Sequence, residues 1–213
     1  HDIGGIAAMR IYTTVLMAKK ILFLNWKDIT HPSAGGAEVF TDALAEHMAK
    51  KCEVDYFTSA YPGCKQKELI HGYRIIRKGN MYTTILHAWM FWHRSGKKNT
   101  YSRIIDQAHG VPFFAIFYYS HPVVSTIIHE VAGEVWESVL PMIGQYLGPT
   151  IDRIWLMLYR NEKIITVSPS TNKDLMALGI QKHQIFIVPN FSPIKLQNIP
   201  VKSQFPTLLV LGR

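Results

Sequence analysis

Short unbroken apolar runs recur along the chain, separated by stretches in which apolar residues stand three and four apart. Ile21-Leu22-Phe23-Leu24, after Lys19 and Lys20, is such a run and reads as a parallel strand covered on both faces. A polar loop, Asn25 to Gly36, then gives way to Val39, Phe40, Ala43, Leu44 and Met48, the spacing of an amphipathic helix. Val54 to Thr58 predicts the next strand, and Tyr73 to Ile76 another, after a loop spanning Ser59 to Gly72. A helix is expected over Thr83 to His93, a strand at Ile104-Ile105, an aromatic helix over Phe113 to Tyr119, and a buried strand over Val123 to Ile128 that ends at His129. Glu130 to Thr150 has no clean period and reads as an irregular, partly helical excursion. Ile151 to Tyr159 predicts an apolar helix and Lys163 to Val167 a strand. Ser168 suits an N-cap, Pro169 the first helical position and Gly179 the C-terminal cap, which delimits one more helix before the strand Ile185 to Val188.

Alternating strands and helices of this kind define an α/β fold with a doubly wound, Rossmann-like parallel sheet. That sheet is expected to occupy residues 19–188. Residues 1–18, which include Gly4-Gly5-Ile6-Ala7-Ala8, read as a leader, vector-derived or frayed, too poor in basic residues for a signal peptide. Pro189, Pro193, Pro200 and Pro206 mark an interdomain linker over 189–206. Thr207 to Leu211, followed by Gly212-Arg213, reads as the first strand of a second domain, so the sequence is expected to continue beyond this point.

Composition narrows the possibilities. At 48% hydrophobic and 18% charged residues, the chain can bury a core, which excludes disorder and fibrous repeats. Its longest uncharged apolar runs, Val111 to Tyr119 and Val123 to Ile128, are too short to cross a bilayer. Two cysteines without C-x-x-C spacing, Cys52 and Cys64, favour reduced thiols and a cytoplasmic setting. The formal net charge of +8 is local, since Lys50 to Arg103 holds 11 basic residues against Glu53, Asp55 and Glu68. Such an excess suits an anionic membrane surface, and it equally suits a plain solvated face. No nucleic-acid motif accompanies it, and nucleic acid is not an expected partner.

In doubly wound sheets ligands bind beyond the carboxyl ends of the strands, so the loops there hold the candidate chemistry. Gly35-Gly36-Ala37-Glu38 opens the first helix, where residues without Cβ let a phosphate or sugar reach helix N-terminal amides. The same glycines could simply turn the chain. Asp106 and His109, in an expected loop over Asp106 to Gly110, could bond sugar hydroxyls or carry a proton, or serve as a cap and a surface residue. His129-Glu130 ends the strongest central strand, where a histidine points into the cleft unless the sheet buries it. Ser168, Thr171 and Lys173 read as a helix cap.

Taken in order, these features resemble the amino-terminal half of family-four retaining glycosyltransferases of GT-B architecture. The resemblance rests on Lys20 to Leu24 with Gly35-Gly36-Ala37-Glu38, the strand ending at His129, Ile164-Ile165-Thr166-Val167-Ser168 with Asp174-Leu175 and Gly179, Pro189-Asn190, and Leu211-Gly212-Arg213. Phe191 departs from it, standing where the family usually has glycine, as does Asp106-Gln107 where many members have a His-x-His pair. The resemblance implies an acceptor-binding domain, with the nucleotide sugar held by a second domain. It implies His129 as the catalytic histidine, Gly35, Gly36, Ala37 and Glu38 at the donor phosphate, and Asp106, His109 and Glu130 as acceptor-binding candidates. It further implies a glycan, lipid-linked or small-molecule acceptor, cell-envelope polysaccharide biosynthesis at the inner face of the membrane, and no cofactor or essential metal. A non-catalytic α/β binding or scaffold domain is the alternative.

Overall fold

A computed structural model describes residues 20–94, 101–119, 124–131, 136, 144–190 and 205. The expected leader, nearly all of the linker and the strand Thr207 to Leu211 lie outside the described residues. The elements are β1 (Lys20–Leu24), α1 (Gly36–Ala49), β2 (Glu53–Thr58), β3 (Lys67–Ile70), β4 (Tyr73–Arg77), α2 (Thr84–Arg94), β5 (Arg103–His109), β6 (Val124–Glu130), α3 (Gly144–Tyr159), β7 (Ile164–Thr166), α4 (Pro169–Ala177) and β8 (Ile185–Ile187).

These eight strands form one sheet in the order β3-β4-β2-β1-β5-β6-β7-β8, parallel except for the antiparallel edge strand β3. From β1 the chain builds outward through β2 to β4, then returns across the sheet to place β5 on the other side of β1. The order therefore reverses between β1 and β5, the kind of switch point beyond whose carboxyl ends doubly wound sheets bind ligands.

Helices cover both faces. α1 packs Phe40, Ala45 and Met48 onto Ile21, Phe23, Ile105 and Ile127. On the opposite face, α2 sets Ala88 and Phe91 over Leu22, Leu24, Phe57 and Ile104, and beside it α3 and α4 close a third cluster through Trp155, Leu156, Tyr159 and Leu175. Burial on both faces explains the unbroken apolar strands, each large side chain so covered contributing roughly 1.5–3 kcal/mol. Ser168 caps α4 by accepting from the Thr171 amide, and Gly179 follows that helix at φ +97°, a left-handed conformation suited to glycine.

Four expectations are corrected. The Ser59 to Gly72 loop contains β3, whose half-exposed Lys67-Glu68-Leu69-Ile70 lacks the apolar density of a core strand. β5 runs to His109 instead of stopping at Ile105, so Asp106 lies inside a strand and not in a loop. The aromatic helix over Phe113 to Tyr119 is only a 3-10 turn at Ala115–Phe117, because Asp106 captures the amides of Phe113 and Ala115 and Phe114 is driven to φ +57°. Lastly, α3 starts at Gly144, within the supposed irregular stretch, and carries Pro149 one turn in, where one carbonyl forgoes its helical partner.

Candidate functional site

The loop leaving β1 is fixed before it reaches α1. Asn25 donates to the Tyr56 hydroxyl at 2.7 Å, and that hydroxyl donates to the Lys27 carbonyl at 2.8 Å. Beyond it Asp28 and Arg77, both with fully buried side chains, pair through contacts of 2.7 and 3.1 Å. Arg77 also donates to Thr30 Oγ1, the Lys65 carbonyl and Glu68. Burial pushes the Asp28 carboxyl upward, but hydrogen bonds from Arg77 and Thr30 outweigh it and hold the group below its ordinary range. Arg77, one of the eleven basic residues of the Lys50–Arg103 stretch, is thus spent inside the fold. Arg74 is likewise bound bidentately to Asp55. Arg77 at least is thus withdrawn from any basic surface of that stretch.

This anchored loop delivers Gly35 and Gly36 to the start of α1. Gly35 is the N-cap at φ −132°, a conformation open to any residue, and Gly36 is absent from the positive-φ glycines. Neither is demanded by packing. A Cβ on Gly35 would meet only Glu38 Oε2 at 3.4 Å, and one on Gly36 would have no heavy atom within 4 Å. The Glu38 carboxylate accepts from the Gly35 amide, but Gly35 has no side chain to cap the first-turn amides of Gly36 and Ala37. The first-turn amides of α1 thus have no side-chain cap from residue 35, and the space around the Gly36 Cβ position is open, an arrangement suited to an anion.

One turn further on, α1 reaches the strand ends. Side chains alternate across a sheet, so Ile105 and Gln107 face α1 while Asp106 faces the opposite layer. Gln107 Oε1 accepts from Thr41 Oγ1 at 2.7 Å and lies 3.0 Å from His129 Nε2. With the amide in this orientation its oxygen can only accept, so His129 carries its proton on Nε2 and presents a bare Nδ1. Phe40 meets the His129 ring edge-on at 5.6 Å between centroids, and His109 stacks against it at 5.2 Å. Thr171 at the start of α4 donates to the His129 carbonyl at 3.1 Å. His129 is 8% exposed, and burial, aided by the neighbouring His109, pushes its pKa down to about 4. It is neutral at physiological pH. The side-chain nitrogen of Gln107 and Nε2 of His109 are both buried with no protein partner among the described residues.

The other candidates divide by location. His109 and Glu130 stand at the rim, their side chains 27% and 54% exposed, with Nδ1 and Oε1 separated by 3.6 Å. The histidine contact draws the Glu130 carboxyl below its ordinary range despite partial burial. Asp106 is fully buried. Its two oxygens accept from the amides of Phe113 and Ala115 and from the Tyr159 hydroxyl, and burial raises its pKa to about 6. It ties down the loop after β5 and leaves no oxygen for a sugar. Phe40, Thr41 and Gln107 were not singled out from sequence, and a polar Gln107 two positions after an inward-facing Ile105 was the signal available. Among the described residues no three His, Cys, Asp or Glu side chains are grouped to hold a metal ion.

The mostly parallel, doubly wound sheet with helices on both faces defines an α/β domain of the Rossmann-like class. The sequence pattern of Glycosyltransferase Family 4 matches residues 34–194, three quarters of the chain, and the protein belongs to that family. The fold resembles that of sucrose-phosphate synthase from Thermosynechococcus elongatus at a TM-score of 0.54 and 17% identity, over 80% of this chain. This chain matches 48% of the synthase chain, about half its length. No curated protein sequence matches. The expected α/β, GT-B-type fold is therefore found.

Proposed function

We propose that this domain forms the acceptor side of a cleft in which a sugar passes from a nucleotide sugar to an acceptor hydroxyl, the donor being held mainly by a second domain. The observation that carries the proposal is Gly36. Neither its backbone conformation nor its packing requires glycine, and the space around its Cβ position at the start of α1 is open. A site for a diphosphate accounts for that space, since amides preorganised at a helix N-terminus stabilise the charge that grows on a leaving phosphate.

In this reading the acceptor oxygen bonds to the anomeric carbon as the bond from that carbon to the phosphate oxygen breaks. The acceptor proton passes to the departing diphosphate, and retention places both events on one face of the sugar. His129, neutral and held by Gln107, Phe40 and His109, offers Nδ1 to a hydroxyl of the sugar or acceptor. His109 and Glu130 at the rim contact the acceptor, a glycan, a lipid-linked sugar or a small molecule of the kind used in envelope polysaccharide assembly. No metal ion has a part in the proposal. Because stabilisation is needed on both sides of the leaving group, the 213-residue chain alone is expected to release no nucleotide.

A donor screen with the full-length protein, detecting released nucleoside diphosphate, tests this reading. Acceptor-dependent release from one nucleotide sugar supports it. Absence of release across the common donors, with a folded protein and a range of glycan and lipid acceptors, would favour a non-catalytic binding domain.

A further inference from the structure

The outer surface of the α2 and α3 layer does not look like the outside of a water-facing helix pair. Between Lys78 and Lys98 the sequence contains no Asp or Glu, while Lys78, Arg94, Lys97 and Lys98 are all basic. Within it α2 buries Thr84, Ala88 and Phe91 and turns the opposite stripe outward. Tyr82, just before the helix, is 92% exposed, Leu86 56% and Trp89 46%, with His93 and Arg94 also exposed. Positions 82, 86, 89 and 93 follow one helical face.

On the same face of the sheet, α3 repeats the pattern. Leu147, Ile154, Met157 and Leu158 of α3 are each about half exposed beside exposed Arg153 and Arg160, while its acidic residue Asp152 is buried. On the other face of the sheet α1 is ordinary: Val39, at 37%, is its one exposed large apolar side chain, and Asp42 and Glu46 interrupt its surface. The exposed apolar side chains of these three helices are thus concentrated on α2 and α3.

We infer that the outer faces of α2 and α3 dock on an anionic lipid bilayer. Leu86, Trp89, Ile154 and Met157 would enter the boundary between headgroups and acyl chains, while Lys78, Arg94, Arg153 and Arg160 meet lipid phosphates. Charge selects this occupant. A second copy using the same face would bring two cationic surfaces together with no exposed acid on either helix to relieve them, whereas an anionic bilayer complements both features. The candidate site lies at the carboxyl edge of the sheet, so docking through a helix layer leaves it accessible. The inference does not depend on sugar transfer and is read out by binding.

Co-sedimentation of the full-length protein with phosphatidylcholine vesicles and with mixed phosphatidylcholine–phosphatidylglycerol vesicles tests it. Binding is expected to the anionic vesicles and to weaken as salt rises. Joint replacement Leu86→Glu with Trp89→Glu, or Ile154→Glu with Met157→Glu, should weaken binding roughly tenfold or more, because it removes apolar contact and adds like charge to the lipid. These are exposed positions, and circular dichroism should show folded variants. His47→Glu, exposed on α1, should leave binding unchanged. Equal binding to neutral and anionic vesicles, or unchanged binding by both double variants, would overturn the inference. So would self-association in sedimentation velocity that the double variants abolish without a lipid effect.

Discussion

His109 and His129 lie on neighbouring strands with their rings 5.2 Å apart and only 12° from parallel. β5 and β6 shift register between Ala108 and His109, so His109 pairs in the backbone with Glu130. Burial of the His129 ring, with His109 stacked beside it, disfavours a positive charge there, which is why His129 stays neutral until about pH 4.

That depressed pKa has a consequence for stability. An unfolded histidine titrates near 6.5, so the unfolded chain binds the proton first as pH falls. The contribution of neutral His129 is fully present above that value and is lost between about 6.5 and 4. His129→Gln should flatten the fall in stability over this window, as measured by urea unfolding at a series of pH values. An identical pH slope in the variant would show that His129 is not the group responsible.

The Asp28–Arg77 pair should be costly to break from one side. Arg77→Met leaves a buried carboxylate without its partner and is expected to cost roughly 3–5 kcal/mol, with Asp28→Asn also destabilising. The double variant Asp28→Leu with Arg77→Met should recover part of the loss. Chemical denaturation of the wild type, Asp28→Leu, Arg77→Met and the double variant closes the cycle, and additive effects would mean that the two side chains do not interact.

Gln107 sets the electrostatics of His129. Gln107→Glu would place a carboxylate at the 3.0 Å contact with Nε2 and should raise the histidine pKa well above 4. An NMR titration of the imidazole reads this directly. An unmoved pKa would show that the side chain at 107 does not engage Nε2.

Much of this architecture could be read from residue pattern alone, and the failures have physical causes. Ser168, Pro169 and Gly179 bounded α4 because capping is local chemistry. His129 was recognisable next to the end of a strand because the apolar run before it is also a local pattern. β5 was cut short because Asp106 and Gln107 are polar, and only long-range partners make their burial tolerable: two amides 7 and 9 residues ahead for Asp106, and Thr41 and His129 for Gln107. Alternation along that strand then separated Asp106, which serves the structure, from Gln107, which faces α1 and holds His129. At Gly35-Gly36 the sequence allowed both a turn and a ligand contact. Backbone angles and empty space favour the contact.

Gly36 therefore offers the most direct test of the cleft. Alanine is a better helix former than glycine and would meet no neighbour at this position, so Gly36→Ala should keep or slightly raise Tm, by no more than about 1 kcal/mol in stability. Gly36→Val should fold as well. Measured on the full-length protein with its nucleotide-sugar donor, kcat/KM for acceptor-dependent nucleotide release should fall about a hundredfold in the valine variant, the scale set by losing a preorganised donor at a developing oxyanion. A folded Gly36→Val protein that turns over at the wild-type rate would contradict the placement of the diphosphate at the start of α1.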